Sequence, residues 1–253
     1  MNIKELAKKL DEAALQAKPI AQLSEQYPLT LKEAYKIQAA SINRRYERGE
    51  KFVGLKLGFT SKAKMEQMGV HDLIWGRLTD AMLLRRGGIL MLENFIHPRV
   101  EPELCFLVKN KIDREITLDE VKKYIVGVAP ALEIIDSRYE NFKFSLEDVV
   151  ADNCSSAAFV IGQWHPLDLP VENLHMELIM DGEVVQSGSS KAILGNPYES
   201  VVSAARLVRK AGKSIPQGAY ILAGAATPAV YLKPGSEVKV RVEKLGEAGF
   251  STG

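Results

Sequence analysis

Apolar residues recur along this chain at two different spacings, and the change between them divides it. Ile3, Leu6, Ala7, Leu10 and Ala14 repeat every three to four positions with Lys and Glu between them, the spacing of one buried helix face. Pro19 closes that segment. Thr30 followed by Glu33 is a capping-box pair opening a second helix, whose stripe runs through Tyr35, Ile42 and Tyr46 to a stop at Gly49. Residues 1–50 are therefore predicted as a helical N-terminal cap, and 51–253 as a separate catalytic, strand-rich unit. From Phe52 the period falls to two: in FVGLKLGF, Val53, Leu55, Leu57 and Phe59 alternate with Gly54, Lys56 and Gly58.

The same alternation runs through PRVEPELCFL, which puts Val100, Leu104 and Phe106 on one face and Glu101 and Glu103 on the other. VGVAPALEIIDSRY reads as a buried strand carrying one acid, Glu133, and LDEVKKYIVG before it as a short helix. HMELIMDGEVVQSGS predicts a hairpin bent at Asp181-Gly182. Asn196 and Pro197 begin a helix over YESVVSAARLVRKAG that ends at Gly212, and GAYILAG, VYLKPG and SEVKVRVEKLG return to alternation. Three segments are less regular. Thr60 or Ser61 caps a short helix, SKAKMEQM, that stops at Gly69. VHDLIWGRLTDAMLL has no clean period and carries His71, Asp72, Trp75, Arg77 and Asp80, as an ordered active-site loop or a packed connector. YENFKFSLEDVVADNCSS has loop character. Strands and helices do not alternate regularly, so the predicted class is α+β and not a doubly wound sheet.

Composition adds exclusions. Thirty-three basic and 32 acidic residues over 253 positions give a net charge of +1 with no basic block, so no nucleic-acid partner is expected. The charged start lacks the apolar core of a signal peptide and no run reaches the length of a membrane span, so a cytoplasmic protein without a membrane partner is expected. Cys105 and Cys154, far apart, read as buried reduced thiols. There is no G-x-G-x-x-G, P-loop, G-x-S-x-G, H-E-x-x-H or C-x-x-C.

The chemistry lies in the acids. Two carboxylates on one face of a partly buried strand repel, and a buried anion without a partner is costly. Solvent or an Arg or Lys partner answers that for a lone E-x-E, but Glu133 adds a third acid in apolar surroundings. Three glutamates with no neighbouring Cys or His form a hard, all-oxygen donor set suited to Mg²⁺ or Mn²⁺. Lys56 stands on a glycine-lined strand face, open to a ligand, to another backbone or to solvent. Asn153 and Ser155 either donate to a bound anion or, with Asp152, close a turn. The small residues around Thr227 point to close approach by a ligand or a neighbouring strand.

VGLKLGFTSKAKMEQMGV, PRVEPEL, ALEIIDSRY, ADNCSS and AGAATPAVYLKPG, in that order from about Val53 to the C-terminus, resemble the fumarylacetoacetate hydrolase superfamily, in its hydratase and decarboxylase branch from meta-cleavage catabolism of aromatics. IWGRLTDAM and IIDSRYENFKFSLEDVVADN lean to the decarboxylase side of that branch. The resemblance implies a mixed β-roll, a Mg²⁺ or Mn²⁺ ion on Glu101, Glu103 and Glu133, and an active-site lysine at Lys56. The expected substrate is a 2-oxo dicarboxylate, 2-oxohex-3-enedioate, and Ser155 and Thr227 are the candidates in this chain for holding its carboxylate oxygens. A homo-oligomer and a complex with the related hydratase belong to the same expectation. Hydration of 2-hydroxypenta-2,4-dienoate, hydrolysis of an acylpyruvate and a non-catalytic partner subunit are the alternatives.

Overall fold

The computed structural model describes residues 2–60, 65 and 72–253; the helix predicted over 61–68, Met65 apart, and His71 lie outside them. Helix α1 (Ile3–Leu15) starts where the Asn2 side chain accepts from the Lys4 and Glu5 amides, satisfying two donors that the first turn leaves open. A short α2 (Leu23–Gln26) leads to α3 (Leu31–Glu47), where Thr30 and Glu33 form the reciprocal capping box. Buried Asp11 clamps the two long helices together, accepting from Arg44 Nε at 2.7 Å and from Arg48 Nη1 and Nη2 at 2.8 and 2.7 Å. Later helices are α4 (Val121–Tyr124), α5 (Leu146–Ala151) and α6 (Tyr198–Lys210).

Two sheets form the body. The first runs β2 (Ile74–Thr79), β1 (Phe52–Gly58), β9 (Tyr220–Leu222), β4 (Arg99–Val108), β5 (Ile125–Ile135), β6 (Ser156–Ile161), with β10 (Val230–Tyr231) pairing to the start of β4. The second runs β3 (Ile89–Leu90), β12 (Gly246–Thr252), β11 (Glu237–Val242), β7 (His175–Met180), β8 (Glu183–Ser189). Pairing is antiparallel except β1 with β9 and β3 with β12. The main core lies between the sheets, where Leu55, Leu104, Phe106 and Leu132 meet Leu178, Val240 and Phe250. The opposite face of the first sheet is covered by helices. Leu6, Leu10, Ala34 and Ile37 pack with Ile74, Tyr139, Val150 and Cys154, while Ile42 packs with Leu78, Cys105 and Leu222. The acids of β4 point toward this helix-covered face.

Two irregular segments resolve differently from their sequence patterns. The stretch around Trp75, read as a loop or connector, is strand β2, and all six of its residues are buried. A strand covered on both faces has no polar side to alternate with, which erases the period-two signal. Within the stretch of loop character, Leu146–Ala151 is helical, opened by a capping box between Ser145 and Asp148. Asp181 and Gly182, at φ 53° and 84°, make the predicted two-residue hairpin turn between β7 and β8.

Candidate metal centre

Register decides the site. The β4–β5 ladder sets Glu101 directly opposite Glu133, and Glu103 lies two residues along the same face. Like charges facing across a ladder destabilise a sheet. Here the three side chains converge, each offering a carboxylate oxygen within 4.8 Å of the others. At that separation and an effective dielectric near 20, each pair of unit charges repels by roughly 3–4 kcal/mol. Glu103 and Glu133 are fully buried and Glu101 is 7% exposed, so water cannot relieve the repulsion. Burial, and then the charge of Glu133, pushes the Glu103 carboxyl well above the ordinary carboxylate range; burial also raises Glu133, against the pull of Lys56.

Lys56 projects from β1 into the same space. Its Nζ lies 2.9 Å from Glu133 Oε2 and donates to the Cys154 carbonyl at 3.2 Å. Burial works against its charge, but Glu133 and the neighbouring acids prevail and hold the ammonium above the usual lysine range. Lys56 is 4% exposed in an interior strand, so the solvent-exposed edge alternative does not apply. The glycines beside it serve neighbouring strands: a Cβ at Gly54 would meet Tyr220 O at 2.4 Å, and one at Gly58 would meet Ile74 Cγ1 at 2.8 Å.

Two loops complete the wall. The segment after β9 runs along β4, with Ala223 donating to Leu104 O, Gly224 to Glu103 Oε2 at 2.8 Å and Ala226 to Pro102 O. Gly224 sits at φ +109°, and a Cβ there would lie 2.1 Å from Thr60 Oγ1. Thr227, 6% exposed, follows on this loop beside β4, and its hydroxyl donates to the Pro228 carbonyl at 3.3 Å. Gly188 accommodates it, since a Cβ there would meet Ala226 O at 2.8 Å and Thr227 Cγ2 at 2.9 Å. The second loop is a left-handed turn of three successive non-glycine residues, Asn153, Cys154 and Ser155, at φ 51°, 55° and 57°. That conformation costs free energy at each residue and persists only where neighbours impose it.

Those neighbours are specific. Asn153 Oδ1 accepts from the Arg77 amide and Asn153 Nδ2 donates to the Arg77 carbonyl, both at 2.8 Å. Asp152 accepts from the Arg138 amide at 3.0 Å and also from its guanidinium, and Asp136 N donates to Ser155 O at 2.8 Å. The turn presents the Cys154 carbonyl to Lys56. Ser155 Oγ is buried without a hydrogen-bond partner among the described residues. Burial pushes the Cys154 thiol up to about 12 and the Cys105 thiol well above its ordinary value, so neither is a thiolate nucleophile at neutral pH. Asn153 therefore acts as a turn lock. Sequence reading left Arg77 and Arg138 without a role here, and ADN with DSRY was the available signal for the second of them.

The donor set fits a divalent cation. Among the described residues, three carboxylates face one ammonium here. Among the described residues Glu103 Oε1 is buried with no hydrogen-bond donor, and the Glu133 carboxylate has the Lys56 ammonium and the Ser156 hydroxyl beside it. Unsatisfied oxygens at such depth call for a ligand. Hard oxygens without nitrogen or sulfur match Mg²⁺.

Comparison with known proteins follows the same lines. The family model described as fumarylacetoacetate (FAA) hydrolase, C-terminal, matches residues 52–250. A 4-oxalocrotonate decarboxylase of Pseudomonas sp is 50% identical over 252 residues, covering 100% of this chain and 98% of that protein. A 2-keto-4-pentenoate hydratase of Paraburkholderia xenovorans (strain LB400) is 35% identical, over 96% of this chain and 91% of its own. The solved structure of 4-oxalocrotonate decarboxylase from Pseudomonas putida G7, complexed with magnesium and adipate, superposes with a TM-score of 0.96 at 37% identity, over 99% of this chain and 97% of that one.

Proposed function

The chain belongs to the fumarylacetoacetate hydrolase family, and from that premise we propose that it is a magnesium-dependent carboxy-lyase converting 2-oxohex-3-enedioate to 2-hydroxypenta-2,4-dienoate and CO2. The observation that carries this reading is the convergence of Glu101, Glu103 and Glu133 beside the Lys56 ammonium. Full-length similarity to decarboxylases at 50% identity, against 35% for the hydratase, favours decarboxylation over hydration. Glu101, Glu103 and Glu133 would hold the ion. Bound there, it supplies positive charge that draws electron density toward the 2-oxo group of the substrate.

The remaining chemistry falls to the chain. As the C5–C6 bond breaks, its electron pair forms C4=C5, the C3=C4 pair moves to C2=C3, and the carbonyl pair passes to the C2 oxygen, so CO2 leaves without a general base. Lys56 is held protonated by the acids around it, so its ammonium can stabilise negative charge growing at C2–O and then donate a proton there. The helix-covered face keeps bulk water from the site, which strengthens that interaction. Ser155 and Thr227 are proposed to hold carboxylate oxygens; the buried, unpartnered Ser155 hydroxyl supports this more strongly than Thr227, whose hydroxyl is engaged. Among the described residues no helix is long and apolar enough to cross a membrane. A cytoplasmic homo-oligomer, able to associate with the related hydratase, completes the proposal.

Purified protein incubated with 2-oxohex-3-enedioate and Mg²⁺ is expected to release one CO2 per substrate consumed. Hydration of 2-hydroxypenta-2,4-dienoate without CO2 release would instead assign the chain to the hydratases.

A further inference from the structure

The face of β4 that carries the acids continues one step past them to Arg99. Strand alternation puts Arg99, Glu101 and Glu103 on one side, and exposure rises along the row from fully buried Glu103 through nearly buried Glu101 to half-buried Arg99. The site therefore opens toward Arg99. Its guanidinium carbon lies 4.0 Å from the Phe142 ring centroid and 4.2 Å from that of Tyr231, and its Nη2 donates to the Tyr231 hydroxyl. Tyr231 is its cross-strand partner on β10. Phe142 arrives on a turn with Asn141 and Phe142 at φ 58° and 57°, an arrangement that costs free energy and delivers an aromatic ring to the cation.

A cation fixed this firmly normally has an anion. Among the described residues no carboxylate lies within ion-pair distance of Arg99, and its Nε is buried with no hydrogen-bond partner. Resting on the dicarboxylate reading above, we propose that Arg99, flanked by Phe142 and Tyr231, is the specificity-determining subsite for the substrate carboxylate remote from the metal centre. The spacing agrees: two residues of strand span about 6.6 Å, the scale of the carbon chain between the ends of a six-carbon diacid. Stacking between rings also suits the role. It holds the guanidinium in one plane at little entropic cost and leaves donors free for a planar carboxylate. The carboxylate held there is the one lost as CO2, so Arg99 stabilises the bound ground state. Its removal should raise KM far more than it lowers kcat.

The test uses two non-reacting 2-oxo acids that differ only at the far end, 2-oxoadipate and 2-oxohexanoate, titrated calorimetrically into the Mg²⁺-loaded protein. The wild type is expected to bind 2-oxoadipate about tenfold or more tightly, the scale of one charge-assisted hydrogen-bonded pair. Arg99→Gln should abolish that preference while leaving 2-oxohexanoate affinity unchanged, and Tyr231→Leu, at a half-exposed position, should narrow it. No preference in the wild type, a preference surviving in R99Q, or equal loss of both ligands in R99Q would overturn the subsite. Turnover is read separately. Preference without CO2 release retains the subsite and removes the decarboxylase reading, whereas CO2 release without preference does the reverse.

Discussion

Glu103 is fully buried, within reach of two other acids, and supported by a backbone amide from Gly224. Replacing it by Gln keeps an acceptor for that amide while removing one of three repelling charges. Without metal, Glu103→Gln is expected to melt a few degrees higher than the wild type, because about 1 kcal/mol moves Tm by roughly 2–4 °C at this size. With saturating Mg²⁺ the order should reverse, as only the wild type gains binding free energy, and decarboxylation should fall by at least about a hundredfold. Calorimetric melts with and without Mg²⁺ check both halves. Gly224→Ala acts on the same contact from the other side. A Cβ 2.1 Å from Thr60 Oγ1 at φ +109° must displace the loop, so melting temperature and Mg²⁺ affinity should fall together, by more than about 1 kcal/mol in stability. The four positions that meet here, Lys56, Glu101, Glu103 and Glu133, were legible in the sequence because each breaks an apolar strand pattern with a charge. The lock on Lys56 was not, because nothing in the residue types Asn153, Cys154 and Ser155 announces three left-handed residues in a row. Contacts with Arg77 and Arg138, far apart in sequence, impose that shape.

Among elements, the junction of β2 with the left-handed turn is the most exacting. Asn153→Ala removes both 2.8 Å hydrogen bonds to Arg77 and a side chain that tolerates positive φ better than most non-glycine residues, so a loss of roughly 2–3 kcal/mol is expected, read by denaturant unfolding. Activity should fall further than stability explains, since the Cys154 carbonyl would no longer hold Lys56 in place. The α1–α3 clamp gives a pH-dependent prediction. Burial raises the Asp11 carboxyl, but hydrogen bonds from Arg48 and Arg44 together with their charges outweigh it and leave the group below its ordinary value. A depressed carboxylate contributes stability that is fully present above its unfolded pKa, about 3.9, and is lost as pH falls through the folded value. Asp11→Ala should therefore cost only about 1–2 kcal/mol at pH 7, because both guanidiniums are about a third exposed to screening water, and the gap to wild type should close as pH falls through the depressed folded-state value of Asp11. Unfolding curves at pH 7 and at pH values below the ordinary carboxylate range make the comparison. Helices α1 and α3 were legible from their stripes and caps, and the β7–β8 hairpin from Asp181-Gly182. Strand β2 was hidden because burial on both faces removes alternation, and α5 because only its first turn carries a capping signal.

At the scale of the whole molecule, two sheets share one core, and the chemistry sits on the face that does not contribute to it. Apolar packing between the sheets fixes β4 against β5 in a register that sets Glu101 opposite Glu133. Among the described residues the folded chain thereby gathers three acids against one ammonium, an imbalance that a dication would relieve. An α+β chain with an N-terminal helical layer was legible from periodicity, while the sheet order was not, because the parallel β1–β9 pairing joins strands more than 150 residues apart. The most direct test of the metal-centred account is CO2 release from 2-oxohex-3-enedioate as Mg²⁺ is titrated into exhaustively chelated protein. Release should start from zero, rise with occupancy of one site per chain, and be at least about a hundredfold slower in Glu103→Gln. Undiminished release in excess chelator would contradict it.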